Sequence, residues 1–445
     1  MIQTERICAL NHHGPVNGAY VLYWMQSSQR AGCNHALEYA LAFANEHRLP
    51  VVVLFCLMDR YPDSNLRHYS FMLAGLQATF DALRERGITA VMLRGEPESV
   101  VPEAARRARL VVTDRGYTRH QRRWRPGVAR RIECPLIQVE TDVIVPVETA
   151  SPKEEYAAAT FRPKIGRVLL RYMVPLSERE AQVTGFRPDM DAIEPVDGLK
   201  TLTPVLDRSV PPVDGTPGGH VAAEHRLKEF LDSRLDTYGS LRSDPAATAY
   251  SGLSPYLHFG QISPLEVALA ASDHGGPGAE SFLEELIVRR ELAVNFTYYN
   301  QSYDSFACLP DWAQSTLKAH ETDTRPYHYS REELETAATH DEYWNAAQRE
   351  MRLTGSMHNY MRMYWGKKIL EWCPGPSEAF DTALYLNNKW QLDGRDPNSY
   401  AGVAWCFGKH DRPWGERSIF GKVRYMSAGG LERKFDIKSY VSRFT

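Results

Sequence analysis

Residues 355–414 bring aromatic side chains together with arginine, asparagine and aspartate at high density. In residues 357–371 good helix formers predominate. Trp365 and Trp372 are seven residues apart, which places both on one face of the predicted helix. Two interpretations remain open at this point: the rings are ordinary core, or they form a row of oxidisable groups that leads to a redox cofactor.

A second group of residues has the chemistry of a phosphate site. Residues 251–260 form a Ser- and Gly-rich turn that precedes a predicted helix. Backbone N–H groups and hydroxyls in such a turn can bind phosphate. An ordinary capped loop has the same composition, so the pattern alone leaves both alternatives open.

Charged residues recur at helical spacing in residues 284–291, which is typical of ion pairs on a helix surface. A further pair of opposite charges, Arg362 and Asp393, lies in apolar and aromatic surroundings. Tryptophan is an efficient stacking platform for unstacked bases, although it is equally ordinary core material. The candidates for such stacking are Trp344, Trp365, Trp372, Trp405 and Trp414.

Several function classes are not indicated. The chain has no Ser-His-Asp or Cys-His arrangement and no P-loop, and its 7 Cys are scattered singly, so neither a disulfide framework nor a metal site is expected. The net charge of -3 means that any nucleic-acid binding must use a local patch. No apolar run reaches the roughly 20 residues that span a bilayer, and the amino terminus lacks the features of a signal peptide. We therefore expect a cytoplasmic protein without membrane association.

Apolar runs alternate with amphipathic stretches in the first third of the chain. The runs are Tyr20–Met25, Val51–Met58, Thr89–Leu93, Leu110–Thr113 and Leu136–Val139, and the stretches are Asn34–His47, His68–Arg86, Ser99–Ala108 and Thr118–Arg131. This order predicts a doubly wound parallel-sheet α/β domain, which binds ligands at the carboxyl ends of its strands. Residues 26–32 after the first strand lack the Gly-x-Gly-x-x-Gly pattern, so a nicotinamide dinucleotide is not expected there.

Periodicity changes twice further along the chain. Residues 148–220 are rich in Pro and Gly and predict a long linker with one short helix near Tyr156–Met173. The later helical candidates are Val221–Thr237, Pro264–Ser272, Ala279–Tyr299, Pro310–Glu321, Ser330–Thr339, Asp341–Leu353 and Met357–Trp372. We predict an α/β domain in residues 1–147, a linker in residues 148–220 and an all-helical domain in residues 221–445.

Motifs spread over nearly the whole chain resemble the photolyase/cryptochrome family. They are Tyr23-Trp24-Met25-Gln26, Leu253-Ser254-Pro255-Tyr256-Leu257-His258-Phe259-Gly260, Phe282-Leu283-Glu284-Glu285-Leu286-Ile287-Val288-Arg289-Arg290-Glu291, Lys367-Lys368-Ile369-Leu370-Glu371-Trp372, Lys409-His410-Asp411 and Phe420-Gly421-Lys422-Val423-Arg424-Tyr425-Met426. The familiar photolyase classes carry an Asn-Asn-Gly-Gly-Trp-type segment where this chain has Asp393-Gly394-Arg395-Asp396-Pro397-Asn398. The narrower resemblance is therefore to class II cyclobutane pyrimidine dimer photolyases.

The resemblance implies a reduced, anionic FAD inside the helical domain. Its phosphates would meet Tyr238, Ser251, Gly252, Leu253 and Ser254, with Leu257 alongside; Asn359, Arg362, Asn387, Asp393 and Asp396 would surround the ring system and ribose. Asn387 would lie beside flavin N5, and Arg362 beside the ring would favour the anionic form. A second, antenna chromophore of deazaflavin, folate or flavin type is left open, because His35 and Ser27-Ser28-Gln29-Arg30 depart from the class II pattern.

The same resemblance implies light-driven repair of cyclobutane pyrimidine dimers by electron transfer from photoexcited reduced FAD to a dimer flipped out of UV-damaged DNA. Glu285 and Arg242 would contact the lesion, Trp405 would stack on it, and Arg412 with Trp414 would fill the gap left in the duplex. Trp365, Trp344 and Trp372 would form an electron wire that re-reduces oxidised FAD.

Two other classes of protein are alternatives to a repair enzyme. The first is a cryptochrome, a signalling flavoprotein that commonly carries a long tail, whereas this chain ends at Thr445. The second is a non-photochemical flavin or nucleotide-binding electron carrier, which leaves the Arg- and Trp-lined segment between Trp405 and Trp414 unexplained. We expect a monomeric carbon-carbon lyase that meets DNA in the cytoplasm, at the nucleoid, or in the nucleus of a eukaryote.

Overall fold

The computed structural model describes residues 2–445, and these form two compact units. The first unit contains residues 2–152, 165–231 and 251–274, and the second contains residues 153–164, 232–250 and 275–445. Segment 251–274 thus belongs to the first unit, although the sequence places it in the helical domain. Gln261 is one reason, because its side chain accepts a hydrogen bond from the Gly219 N–H at 2.7 Å and donates one to the Phe71 carbonyl at 3.4 Å.

A six-stranded sheet with the strand order β1-β6-β5-β2-β3-β4 lies in the first unit. Its strands are β1 (Ile7–Ala9), β2 (Tyr20–Met25), β3 (Val51–Leu57), β4 (Thr89–Arg94), β5 (Ala108–Asp114) and β6 (Leu136–Val139). Strands β2 to β6 pair in parallel, and β2 and β3 are buried on both faces, as their continuous apolar runs predict. The predicted α/β fold is confirmed.

Strand β1 is the element of the sheet that sequence analysis misses. It pairs antiparallel with β6 at the sheet edge, and it has only three residues, none of them buried. Its apolar run, Ile7 to Leu10, is too short to distinguish a strand from a loop, so its own sequence does not identify it. Its place comes from ladder hydrogen bonds to Leu136–Val139.

The chain reverses its direction of winding between β2 and β5, where doubly wound folds place their ligand crevice. In this protein the Asp114 carboxylate at the end of β5 accepts hydrogen bonds from the N–H groups of Gln26, Ser27 and Ser28, at 2.7, 2.6 and 3.1 Å. The N–H groups that such a turn can offer to a phosphate are therefore bonded to an internal carboxylate. Burial raises the pKa of Asp114.

The helices of the first unit include those that flank the sheet. They are α1 (His35–Glu46), α2 (Leu66–Glu85), α3 (Pro97–Ala105), α4 (Arg119–Ala129), α5 (Val147–Ala150), α7 (Gly198–Leu202), α10 (Ser254–His258) and α11 (Pro264–His274), while α6 (Ala158–Tyr172) and α8 (His220–Ser233) each have residues in both units. The four helices predicted between residues 34 and 131 are present as α1 to α4, and their ends differ from the predicted ones by at most three residues. Two residues at which the chain departs from the class II pattern, His35 and Ser28, are buried, and the Ser28 hydroxyl donates to the Asp142 carboxylate at 2.8 Å.

The second unit is helical. Its helices are α9 (Leu235–Leu241), α12 (Gly276–Leu283), α13 (Arg290–Tyr299), α14 (Asp311–Ala319), α15 (Arg331–Glu335), α16 (Glu342–Thr354), α17 (Asn359–Trp372), α18 (Pro376–Trp390), α19 (Pro397–Cys406), α20 (Ala428–Lys434) and α21 (Ile437–Ser442). In residues 2–445 no helix is both long and apolar enough to span a bilayer.

Two helix predictions need correction. The helix predicted at Val221–Thr237 is two helices, α8 and α9. The one at Ala279–Tyr299 is interrupted by a π-helical turn at Glu284–Arg289. Several helices are also absent from the predicted set, among them α10, α18, α19, α20 and α21. Of these, α18 and α19 begin with proline, at Pro376 and Pro397, which is a helix start signal.

Candidate lesion and flavin site

A cavity of about 320 Å³ in the second unit collects many of the predicted site residues. It is lined by Arg242, Glu285, Asn359, Arg362 and Trp405, all of which sequence analysis selects. The volume lies at the small end of the roughly 300–1,000 Å³ range of ligand pockets. Five residues that are distant in sequence therefore share one cavity, with both charge signs and an aromatic ring in its wall.

Glu285 reaches this cavity from the π-helical turn between α12 and α13. Such turns occur often at functional sites, because one extra residue per turn changes the direction of the side chains. The Glu285 carboxylate accepts a hydrogen bond from the Arg242 guanidinium at 2.7 Å, and about a third of each side chain is exposed. The pair is thus an ion pair at the cavity wall, and the helix-surface interpretation of residues 284–291 is incomplete.

Tyr238 stands next to this ion pair without lining the cavity. The Arg242 guanidinium lies 5.9 Å from the centre of the Tyr238 ring, and the Phe282 ring meets Tyr238 edge-on at 5.5 Å. Burial, with the charge of Glu285, raises the pKa of Tyr238 to about 12, so its hydroxyl keeps its proton at neutral pH. Tyr238 is therefore a neutral hydrogen-bonding group beside a charged pair.

Helix α17 carries residues of two different predicted roles. The ring of its N-cap residue, His358, accepts a hydrogen bond from the Tyr360 N–H at 3.2 Å, and burial lowers the pKa of His358 to about 4, which keeps the ring neutral. Asn359 and Arg362 line the cavity, whereas Trp365, one turn further on, is buried. One helix thus connects the polar cavity to the apolar interior.

Arg362 and Asp393 form the second ion pair that sequence analysis selects. Their closest atoms, Arg362 Nη2 and Asp393 Oδ2, are 3.5 Å apart, and the guanidinium also donates to the Gln391 side chain. Each group has one atom that can still form a hydrogen bond. Arg362 Nε and Asp393 Oδ1 are buried without a hydrogen-bond partner in the described residues. A buried donor and a buried acceptor without partners are costly unless a ligand satisfies them.

Asn387 lies at the centre of a buried amide network. Its amide group donates to Asn388 at 3.1 Å and to Ser399 at 2.9 Å, and its oxygen accepts from Gln391 at 3.0 Å. One lone pair of the oxygen remains available. Asp396 caps helix α19 by accepting from the Asn398 N–H at 2.8 Å. Asn387 and Asp396 therefore both have structural partners, and neither lines the cavity.

Three tryptophans form a compact stack, which we call the tryptophan stack: Trp365, Trp344 and Trp372. Trp344 of α16 lies parallel to Trp365 at 6.3 Å between ring centres and meets Trp372 edge-on at 5.5 Å. The indole N–H of Trp344 donates to the Trp365 carbonyl at 3.0 Å, which fixes its orientation. All three are at most 1% exposed. The predicted common face of Trp365 and Trp372 is confirmed, since both contact Trp344.

The residues predicted to meet the duplex lie on the surface around the cavity. Trp414 is 40% exposed and lies between two guanidinium groups, Arg412 at 5.2 Å and Arg424 at 5.0 Å from the ring centre. Arg424 lines the cavity, but Arg412 and Trp414 do not. Exposed cation–π contacts of this kind hold an aromatic ring in place while its face and edge stay accessible.

The predicted phosphate turn belongs to the first unit. Gly252 has φ of 69°, a left-handed conformation that favours glycine. The Leu253 N–H donates to the Ser251 hydroxyl at 3.4 Å, and Leu253 is buried. Ser254 begins the five-residue helix α10, and Leu257 lies in its last turn. The turn that the sequence indicates is therefore present.

Among the cavity residues that were not predicted, three have basic side chains: Arg289, His410 and Arg424. Arg289 lies four residues after Glu285, so helical spacing could have found it. His410 has φ of 59°, and its ring Nδ1 donates a hydrogen bond to the Tyr156 carbonyl at 2.8 Å. Burial lowers the pKa of His410 to about 4. No local signal distinguishes His410 or Arg424, because the fold brings them to the cavity from a segment without regular structure.

Comparison with known proteins relates the chain to one family. Residues 21–182 match the DNA photolyase family. The chain is 53% identical to a deoxyribodipyrimidine photo-lyase of Methanothermobacter thermautotrophicus over 100% of this chain and 98% of that protein. It is 40% identical to one of Potorous tridactylus over 98% of this chain and 84% of that protein.

Solved structures share the fold at lower identity. A bacterial class III photolyase from Agrobacterium tumefaciens superposes with a TM-score of 0.74 at 19% identity, covering 97% of this chain and 87% of that one. A cryptochrome from Synechocystis gives a TM-score of 0.74 at 15% identity, covering 98% and 89%. Identity of this level to photo-lyases over the whole length, together with the shared fold, shows that the chain belongs to the photolyase/cryptochrome family.

Proposed function

We propose that this protein is a class II deoxyribodipyrimidine photo-lyase that repairs cyclobutane pyrimidine dimers in UV-damaged DNA with light. The observation that carries the proposal is the cavity, in which the Glu285–Arg242 ion pair, Arg362 and Trp405 face a common space. The relatives at 40–53% identity are photo-lyases by name, which favours repair over cryptochrome signalling.

The residues of the second unit fit a bound FAD. The unused Arg362 Nε is a donor and the unused Asp393 Oδ1 is an acceptor, which suits a ring system that carries both carbonyl and N–H groups. Asn359, Arg362, Asn387 and Asp393 would hold that ring system, and Tyr238 would meet the phosphates. When bound, FAD in its reduced form supplies the light-driven electron for repair.

The protein's own groups bind and polarise the lesion. A dimer must leave the base stack to enter a cavity, and this costs least where damage already weakens pairing. Trp405 offers a ring for stacking on the extruded bases. The Glu285 carboxylate accepts a hydrogen bond from a pyrimidine N–H, while Arg242 holds that carboxylate in place at 2.7 Å.

Charged and aromatic groups around the cavity have further roles toward the cofactor and the DNA. The Arg362 guanidinium would stabilise negative charge on a bound ring system and would thereby favour the anionic form of the cofactor. Arg412 and Trp414 provide charge and an exposed ring for the gap that the extruded dimer leaves in the duplex. The tryptophan stack offers a buried path of closely spaced rings for returning electrons to an oxidised cofactor.

A repair assay tests the proposal directly. Enzyme reduced beforehand with dithionite is mixed with an oligonucleotide that carries one dimer, and intact pyrimidines are measured after blue illumination and in darkness. We expect loss of dimers in light only. A protein that binds FAD but leaves the dimers intact in light is not a repair enzyme and fits a cryptochrome or a flavin electron carrier, and a folded protein that takes up no FAD excludes the photo-lyase and the cryptochrome.

A further inference from the structure

Three side chains of metal-ligating type meet in the first unit, and none of them lines the cavity. They are His220 and Glu224 of α8 and Glu266 of α11, which we call the His220 cluster. His220 Nε2 and one oxygen of each carboxylate all lie within 4.8 Å of one another. Residues four apart share a face of a helix, so α8 supplies two of the three groups from one face and α11 supplies the third.

Both carboxylates of the cluster approach the same ring nitrogen. His220 Nε2 is 3.7 Å from Glu224 Oε1 and 3.9 Å from Glu266 Oε1. Neither separation is short enough for a hydrogen bond. The three groups therefore surround a gap between them instead of bonding to one another.

A second histidine of the chain shows the geometry of ordinary ion pairing. His320 Nδ1 lies 2.7 Å from Asp323 and its Nε2 lies 3.0 Å from Glu416, so each ring nitrogen has its own carboxylate at hydrogen-bonding distance. At His220 two carboxylates face one nitrogen from a longer distance. A ring nitrogen carries at most one proton, whereas a metal ion bound to that nitrogen can be shared by both carboxylates.

Polar atoms of the cluster lack partners in the protein. His220 Nδ1 and Glu266 Oε2 are buried without a hydrogen-bond partner among residues 2–445. In the same part of the chain, neither Glu224 nor Glu266 forms an ion pair with a lysine or arginine. Two carboxylates that share only one imidazole have an excess of negative charge, and partly buried charge is costly unless it is paired or coordinates a metal.

The backbone that carries the ligands is held in place from both sides. The Gly219 N–H, directly before α8, donates to the Gln261 side chain at 2.7 Å, and the Tyr256 hydroxyl donates to the Pro217 carbonyl at 2.9 Å. Gln261 is fully buried and lies shortly before α11. The start of α8 is therefore fixed against the segment that leads to Glu266, which reduces the entropy lost when the two helices bind one ion.

Gly32 leaves room next to the ring nitrogen. A side chain at position 32 would begin 3.9 Å from His220 Nε2 and 3.2 Å from Glu178 Oε1. Glu178 Oε1 accepts a hydrogen bond from the Cys33 N–H at 2.8 Å, which holds this further carboxylate close to the cluster. The surroundings of His220 Nε2 thus offer space and additional negative charge.

We propose that the His220 cluster is a Zn²⁺ site with His220 Nε2, Glu224 and Glu266 as protein ligands and water as the fourth ligand. Zn²⁺ binds imidazole nitrogen and carboxylate oxygen at about 2.0–2.2 Å, which places two ligand atoms of a tetrahedral site about 3.4 Å apart. The separations of 3.7 and 3.9 Å are slightly larger, so small rotations of the carboxylates complete the site.

The donor set selects the class of metal. Mg²⁺ and Ca²⁺ prefer oxygen ligands alone, whereas imidazole together with carboxylate suits Zn²⁺. The ion would join the start of α8 to α11 within the first unit and would stabilise that unit. The proposal is independent of the proposed function, because it involves neither the flavin nor DNA.

The test uses full-length, FAD-loaded protein that has been treated with a chelator and dialysed. Zn²⁺ is titrated in competition with a chromophoric chelator, and X-ray absorption at the zinc edge identifies the ligand atoms. We expect one Zn²⁺ per chain, bound by one imidazole nitrogen and by oxygen, with no sulfur. His220→Ala and Glu266→Gln should each weaken binding about tenfold or more, since changes to groups around a metal already cost about 10–100-fold.

Helix α8 also provides matched controls. His225 is exposed, and Glu229 lies 3.8 Å from Arg226; both are of the ligand types but belong to no part of the cluster. His225→Ala and Glu229→Gln should bind Zn²⁺ as the parent does. Zn²⁺ should raise the melting temperature of the parent and of both controls above the value in chelator, but not that of His220→Ala.

The exposed ligand keeps the outcome decisive. Glu224 is 54% exposed, so Glu224→Gln removes a ligand charge without disturbing packing and should also weaken binding. If His220→Ala does not fold, Glu224→Gln decides. Folded parent protein that binds no Zn²⁺ overturns the proposal, as do sulfur ligands or parent-like affinity in both Glu224→Gln and Glu266→Gln. Dimer repair is not a readout, so failure of the proposed function is a separate result.

Discussion

The cavity wall and the tryptophan stack share helix α17 but have opposite character. The wall carries Glu285, Arg242 and Arg362 as partly exposed ions, whereas the three rings of the stack are at most 1% exposed. The partly exposed charged groups of the wall suit entry of a charged lesion, whereas burial of the stack holds its rings in contact. The difference separates two tasks, so a substitution in one region should leave the other task intact.

The largest expected effect is on photoreduction through the stack. Trp365→Phe should abolish photoreduction of oxidised FAD, because it removes the oxidisable indole nearest the cavity-lining part of α17, and the cost in packing is about 1 kcal/mol. Repair by enzyme reduced with dithionite should persist. The measurement is the flavin absorption band under blue light with a thiol reductant, beside a repair assay.

Trp390 provides the control for this substitution. It is also buried, and its indole N–H donates to Glu335 at 3.0 Å, but it is not part of the stack. Trp390→Phe should leave photoreduction unchanged. Equal rates in Trp365→Phe and the parent would assign electron donation to a phenol such as Tyr360 or Tyr364.

The next effect is on repair and comes from the cavity wall. Glu285→Gln removes the charge that Arg242 and the lesion N–H share, and hydrogen bonds to charged groups contribute roughly 1.5–3 kcal/mol. Repair by pre-reduced enzyme should therefore fall by about tenfold or more, with photoreduction unchanged. The repair yield per absorbed photon is the quantity to measure.

Glu284→Gln is the matched control, since Glu284 pairs with Arg162 at 2.6 Å and does not line the cavity. It should repair at the parent rate. If both variants repair normally, the π-helical turn does not present Glu285 to the lesion.

Lesion binding tests the aromatic part of the wall. Trp405→Ala should weaken binding of dimer-containing DNA by about 1–3 kcal/mol, the scale of stacking one base on an aromatic ring. Trp405→Phe keeps a stacking surface and should retain most of the affinity. Fluorescence anisotropy with damaged and undamaged duplexes measures both. Unchanged affinity in Trp405→Ala would remove this ring from the lesion site.

The smallest expected effect is at the exposed rim. Arg412→Ala should lower DNA affinity modestly and reduce the slope of log affinity against log salt by about one. Arg331→Ala is its control, because Arg331 makes a similar exposed contact with the Tyr385 ring at 4.9 Å. A salt slope equal to that of the parent would place Arg412 outside the DNA footprint.

Local patterns predict much of this molecule. The apolar runs of β2 to β6 and the alternation of strands with helices led to the correct sheet, because periodicity reports burial directly. The spacing of Trp365 and Trp372 likewise placed them on one face of α17. The proposed roles of Asn387, Asp393, Asp396 and the turn at 251–254 stay predictions, as do the domain boundaries and the antenna chromophore.

Tertiary structure decided what depends on distant partners. Nothing local to Glu284–Arg289 marks a π-helical turn, and only packing shows that Glu285 meets Arg242 across 43 residues. Trp344 joins Trp365 because α16 lies against α17, and His220 lies near Glu266 because Gln261 bonds the residue before α8. Residue types determined which chemistry was available to the chain. Long-range packing decided which groups are close enough to carry it out, because hydrogen bonds and ring contacts act over a few ångströms and sequence distance does not measure that separation.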